Sequence, residues 1–123
     1  MYNAQPATNK NRTAPLGVIE GFFGKDWSWD ARSTYAKFLA QHKFNFYIYA
    51  PKSDKHLRKH WQVDWSTAEK NRLQQLRESY RTANIDFGIG LSPHEIYLDA
   101  SRHQREFLTR RIPQINTLAP DIL

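Results

Sequence analysis

The sequence predicts an α/β fold made of three successive strand–helix units and the opening of a fourth strand. Short apolar runs, 16–20, 46–50 and 87–91, recur along the chain, and each is closed by a glycine or proline within two residues. Longer segments with apolar residues at helical spacing fall between and after them. This alternation is the signature of a parallel sheet with crossover helices. Right-handed crossovers then place every strand C-terminus on one side.

Each element has a local reason. Residues 1–15 are polar and lack the hydrophobic stretch of a secretory signal, so they read as a flexible lead-in to a domain spanning 16–123. The first strand, Leu16 to Glu20, lies between Pro15 and Gly21. The first helix is expected from Trp29 to His42, with Ser28 as N-cap and Ala31, Tyr35, Phe38 and Leu39 as its buried stripe. Pro51 stops the second strand, Phe46 to Ala50, because it cannot donate to a ladder. The connection from Lys52 to Trp65 exceeds the usual length of a βα loop, which predicts a functional or locally folded segment.

Ser66-Thr-Ala-Glu69 is a capping box that opens a second helix, with Leu73, Leu76, Tyr80 and Ala83 facing the core. Phe87 to Leu91 reads as the third strand. A third helix is expected from about Ser101, with Gln104 completing another capping box and Phe107, Leu108, Ile112 and Ile115 buried. Pro113 should kink or break it, since an interior proline removes a hydrogen bond and clashes with the preceding turn. Asp121-Ile-Leu123 reads as the first step of a fourth strand.

Composition narrows the functional classes. The 123 residues contain no cysteine, which excludes disulfides and thiolate metal sites and suits a reducing compartment. No apolar run approaches the roughly 20 residues of a membrane span, so the expected location is cytoplasmic, away from membranes. The net charge of +6 raises nucleic-acid binding. Yet Arg72, Arg77, Arg81, Arg102, Arg105, Arg110 and Arg111 lie in helical patterns mixed with acids and amides, as solvated helix faces do. A basic α/β nucleic-acid-binding domain therefore stands only as a minor alternative.

The residues with chemical potential cluster at the strand ends. Gly21 and Gly24 are either turn glycines supplying positive φ or positions where backbone approaches a ligand. Glu20 sits at a strand tip, where a carboxylate can do acid–base work; orientation of the loop or a salt bridge is the preferred role. Lys52 is either a solvated lysine or a donor at the end of the second strand. His56 and His60, four residues apart, have the spacing of two metal ligands on a helix, but no third ligand accompanies them and no metal or cofactor is expected. His94 and Glu95 follow the third strand. Neither a phosphate-cradling glycine loop nor a Gly-x-Ser-x-Gly elbow is present.

The motifs Gly17-Val-Ile-Glu-Gly-Phe-Phe-Gly24 and Tyr49-Ala-Pro-Lys52, in this order and at this spacing, resemble the start of the catalytic barrel of glycoside hydrolase family 84. These are the hyaluronidase-type β-N-acetylglucosaminidases and protein O-GlcNAcases. The resemblance covers 16–123 and implies the N-terminal half of a (β/α)8 TIM barrel, which in full requires ~250 residues. It further implies that Gly21 contacts the sugar through its main chain and that Lys52 donates to sugar hydroxyls. Phe23 stands where the family often has tyrosine, keeping an aromatic wall and losing a hydroxyl. The family's Lys-Asp-Asp becomes Lys52-Ser53-Asp54, leaving Asp54 as a weaker candidate. Trp61 follows Lys52 at the family's spacing and reads as a packed loop anchor, with sugar stacking secondary.

The implied reaction is hydrolysis of terminal N-acetylglucosaminides with retention, by substrate assistance through an oxazoline. Its two adjacent aspartates are expected just beyond Leu123, so no catalytic residue is assigned within the chain and the 123 residues alone are expected to be inactive. Asp121 would lie at the wrong end of the barrel. The expected partner is a glycoside containing N-acetylglucosamine, and the further alternative is a non-catalytic, carbohydrate-binding half-barrel.

Overall fold

The computed structural model describes residues 14–93 and 102–123, without the side chains of 102–104. The expected positions His94, Glu95 and Ser101, the Gln104 side chain and most of the lead-in lie outside the described residues. Strands β1 (Gly17–Glu20), β2 (Phe46–Tyr49) and β3 (Asp86–Ile89) form one parallel sheet in the order β1-β2-β3. Helices α1 (Trp29–Gln41), α2 (Thr67–Thr82) and α3 (Arg102–Asn116) follow the strands in turn. Ile122 makes a parallel bridge to Gly88, so the expected fourth strand begins beside β3.

The register sorts the side chains into two faces. Val18, Tyr47 and Phe87 share one row and Glu20, Tyr49 and Ile89 another on the same face. That face meets the helices: Tyr47 stacks on Tyr80 of α2 at 4.3 Å, and Tyr49 stacks on Trp29 of α1 at 5.9 Å. Leu39, Leu73, Leu76, Phe87 and Ile115 complete a closed core there. Truncating such a leucine to alanine typically costs about 2–5 kcal/mol. The opposite face carries Ile19, Phe46 and Ile48, and Ile19 remains 59% exposed.

The predicted caps form. Ser28 Oγ accepts from the Ala31 amide at 3.0 Å, and both bonds of the Ser66/Glu69 capping box are present. Helix α1 ends in a Schellman turn: Lys43 adopts φ 63°, and the Phe44 amide donates to Leu39 O at 2.9 Å. The same turn recurs after α2, with Asn84 at φ 61° and Ile85 N donating to Tyr80 O. Asn45 is buried at the head of β2; its Oδ1 accepts from Leu16 N and its Nδ2 donates to Ala14 O, which fixes the entry of β1.

Three expectations change. The buried face of α1 is Arg32, Ala36 and Leu39, while Ala31 is exposed and Phe38 is 47% exposed. The helix is rotated from the apolar stripe because Glu20 of β1 draws Arg32 inward. In α3, Arg111 is fully buried beside Ile115, whereas Phe107, Leu108 and Ile112 are half-buried. Pro113 does not break α3, which continues to Asn116. The carbonyl deprived of its partner belongs to exposed Thr109, where water can satisfy it.

Candidate functional site

All three strands point their C-terminal ends to one rim. The ladder continues past β1, with Ala50 N donating to Glu20 O, so Gly21 lies directly beside the segment that leads to Lys52. Gly90 stands next in line, and a Cβ there would come within 2.8 Å of Ala50 Cβ, so the packing of this row excludes a side chain at 90.

The two glycines of the first loop differ. Gly24 has φ 112°, a conformation that L side chains rarely adopt, so it is a turn glycine. Gly21 is not in that region. A Cβ on Gly21 would meet Ile19 Cγ2 at 3.5 Å and Ala50 O at 3.8 Å, both ordinary contacts. Neither backbone conformation nor packing among the described residues demands glycine at 21. Its N–H donates to Ile19 O at 2.9 Å, so the amide is already used within the chain.

Lys52 and Phe23 meet at this rim. The Lys52 ammonium lies 5.7 Å from the Phe23 ring centroid, and Phe23 is 76% exposed. A cation near an aromatic face is held loosely, by about 0.5–1 kcal/mol at an exposed position. Ser53 donates from Oγ to the Asp26 carboxylate at 2.6–2.7 Å, linking the Lys52 loop to the loop after β1. Asp54 turns the other way. Its carboxylate accepts from Tyr49 Oη at 2.7 Å, from Trp65 Nε1 at 3.0 Å and from the His56 amide at 3.0 Å. It thereby caps a 3-10 turn, Lys55–Leu57, so the long connection is locally folded.

Beneath the rim sits a buried charge cluster. Glu20 accepts from Arg32 Nε at 2.9 and 3.1 Å and from Nη2 at 2.7 Å, and it also accepts from the Tyr47 hydroxyl. The salt-bridge role preferred for Glu20 is the one it occupies. The Arg32 guanidinium lies over the Trp29 and Tyr49 rings at 4.7 and 5.2 Å. Burial alone would lower the Arg32 pKa, but its hydrogen bond and charge contact with Glu20 outweigh this and raise it. Burial, reinforced by Glu20 beside Tyr47 and Asp54 beside Tyr49, pushes both phenols well above their usual range. Neither hydroxyl ionises at any ordinary pH, so both act as hydrogen-bond donors.

A second cluster fastens α3 to the long connection. Buried Arg111 donates to Asp64 at 2.7 Å, to Gln114 and to His56 O, and stacks over Trp65 at 4.3 Å; its Nε has no partner among the described residues. Asp64 also pairs with Lys70. Burial pushes the Asp64 pKa up, but the hydrogen bonds from Lys70 and Arg111 prevail and hold it below the usual value. Trp61 is fully buried, as expected of a loop anchor.

His56 and His60 part company. The His56 ring is 3.0 Å from Val63 O and 3.7 Å from Glu69, while His60 is exposed. Among the described residues no group of three or more His, Cys, Asp or Glu is placed to hold a metal. No helix among them is long and apolar enough to cross a membrane. Asp121 accepts from Phe87 N at 2.9 Å, toward the start of β3 and away from the rim.

Sequence reasoning missed Arg32, Asp26, Asn45 and the Arg111–Asp64 pair. One signal was available: Arg32, Ala36 and Leu39 share i, i+4, i+7 spacing, and a buried arginine needs an acid such as the one ending the first apolar strand. No comparable local pattern marks the others.

Comparison with known proteins bears on the family and the fold. Residues 16–119 match the family model described as beta-N-acetylglucosaminidase. Over 100 residues, 81% of the chain, it is 30% identical to the protein O-GlcNAcases of Rattus norvegicus and Mus musculus. The match spans only 11% of either relative. The fold superposes with a TM-score of 0.78 on the solved structure of a variant O-GlcNAc hydrolase from Thermobaculum terrenum, at 29% identity. That alignment covers 88% of this chain and 24% of the other. The parallel rim, its two motifs and a family match across most of the chain lead to one assignment: the chain belongs to the beta-N-acetylglucosaminidase family, glycoside hydrolase family 84.

Proposed function

We propose that this chain forms the N-terminal part of a (β/α)8 barrel in an enzyme that hydrolyses terminal N-acetylglucosaminides, including those on glycoproteins, with retention. Gly21 and Lys52 grip the sugar at the rim, the first through its carbonyl and the second as a cationic donor to hydroxyls. Phe23 lines the approach, and Asp54 serves by holding the Lys52 loop. The observation that carries this reading is Gly21: the fold gives no reason for a glycine there, so a close-lying ligand is the remaining reason for its bare backbone. The exposed sheet face with Ile19 supports the half-barrel, since the interior layer of a complete barrel would cover it.

In the proposed reaction the substrate's acetamido oxygen attacks its own anomeric carbon as the glycosidic bond breaks, and the leaving oxygen receives a proton. Water then opens the oxazoline with the same stereochemistry. Substrate assistance is a known exception to the two-carboxylate scheme. The paired aspartates that orient the acetamido group and transfer the proton are placed beyond Leu123, where the fourth strand would end. The chain's own share is binding and orientation.

The test is hydrolysis of an aryl N-acetylglucosaminide by a polypeptide that carries this region together with the remainder of the barrel. Loss of a charged hydrogen bond is worth ~1.5–3 kcal/mol, so Lys52→Ala should lower kcat/KM on the order of 10- to 100-fold. Unchanged kinetics would refute the assignment.

A further inference from the structure

The geometry points to Arg32 as a positioning residue that sets Gly21 relative to Lys52. The inference rests on the reading of those two as the sugar-binding pair.

Glu20 immediately precedes Gly21, so whatever fixes the Glu20 side chain fixes the exit of β1. Arg32 does so with three hydrogen-bond contacts between 2.7 and 3.1 Å. Its guanidinium also lies over Tyr49, the last residue of β2, whose hydroxyl holds Asp54 two residues beyond Lys52. One planar cation therefore touches both strand ends that feed the rim. Arg58 steadies the same loop by donating from Nη1 to Lys52 O at 3.1 Å.

Stability alone gives a weak reason to keep such a cluster. A buried ion pair is commonly no more stable than apolar residues of the same volume, and the adjacent core of Tyr47, Tyr80 and Phe87 is aromatic. Arginine adds what an apolar residue lacks: a rigid fork that binds a carboxylate in two places while stacking on a ring. The Ser53–Asp26 bond links the outer loops at the surface, where water competes. The Arg32 cluster works in the interior, where its geometry is fixed.

The test introduces Arg32→Lys and Glu20→Gln/Arg32→Met, which removes both charges and leaves neither unpaired, into a polypeptide that carries this region together with the remainder of the barrel, and compares each with wild type. Titration with N-acetylglucosamine is followed by NMR, alongside amide exchange and urea unfolding. The expected result for the double variant is an unfolding midpoint close to wild type, sugar affinity about tenfold weaker, and faster exchange confined to 21–24 and 52–54. Arg32→Lys should recover part of the affinity. Wild-type affinity in the double variant would overturn the assignment, as would affinity and stability falling together with exchange rising throughout the sheet. Absence of sugar-induced shifts in that wild-type polypeptide would overturn the pocket reading itself, and with it any role of Arg32 toward the sugar.

Discussion

Gly21 and Gly24 stand three residues apart in one loop, yet the structure assigns them opposite responses to the same substitution. Gly24 has φ 112°, so alanine must either adopt a strained backbone or reshape the turn. A residue held in such a region costs ~1–3 kcal/mol, and Gly24→Ala should lower stability by about that amount. At Gly21 the added methyl would meet its nearest neighbours at 3.5 and 3.8 Å, with no positive φ to oppose it. Gly21→Ala should therefore leave the fold intact or stabilise it by about 0.4–1 kcal/mol, through the lower entropy of the unfolded chain. In the proposed sugar-binding role of Gly21 the same methyl would crowd the sugar, and the expected tenfold loss of affinity corresponds to about 1.4 kcal/mol. In a polypeptide that carries this region with the remainder of the barrel, urea unfolding monitored by tryptophan fluorescence gives the stability, and NMR titration with N-acetylglucosamine gives the affinity. A Gly21→Ala chain that unfolds earlier than wild type would show that the fold needs this glycine. Unimpaired sugar binding would remove the argument for its function.

Three further sites and one exposed face carry the other expected outcomes. Asp64→Ala leaves Arg111 charged and fully buried and should cost about 3–5 kcal/mol, whereas Arg111→Met should cost less, because Asp64 keeps Lys70 and the Trp65 amide; equal losses in urea unfolding would contradict this asymmetry. Folding depresses the Asp64 pKa below its ordinary 3.8, so its contribution is complete above that value and disappears as pH falls through the lower, folded one; Asp64→Ala should flatten acid unfolding below about pH 5. Lys43→Gly relieves a side chain at φ 63° and should raise stability in urea unfolding by up to about 1 kcal/mol, a drop being evidence that the lysine makes a compensating contact. The uncovered face with Ile19 predicts concentration-dependent association of the 123-residue chain in sedimentation, reduced by Ile19→Lys; monomeric, sharply cooperative unfolding of the wild-type chain would refute it.

Much of the architecture was legible because it is written in short-range chemistry. Pro15, Gly21 and Pro51 bounded the first two strands to within a residue, and Ser28 and Ser66 announced the helix starts that their hydroxyls cap. The order of the two rim motifs, together with the handedness of crossovers, placed Gly21 and Lys52 at the same end of parallel strands. The stripe of α2 was readable too, since Leu73, Leu76 and Tyr80 are all apolar or aromatic and all buried. The stripe of α1 was not, because it contains Arg32 and the apolar pattern favoured its neighbour Ala31. Pro113 misled in the other direction: the carbonyl that loses its donor belongs to exposed Thr109, where water can replace the bond.

The sequence by itself determined the alternation of strands and helices, the N-caps of the first two helices, and which strand ends form the rim, because each depends on spacing within a few residues. Only the tertiary structure decided that Arg32 and Arg111 lie inside, that Asp54 turns toward Tyr49 and Trp65, and that Gly24 is required by its backbone while Gly21 is not. A charge is stable in the interior only when a distant element brings its counter-charge within hydrogen-bonding distance. The need for a glycine likewise depends on what surrounds its missing side chain, and both are set by packing between segments far apart in the chain.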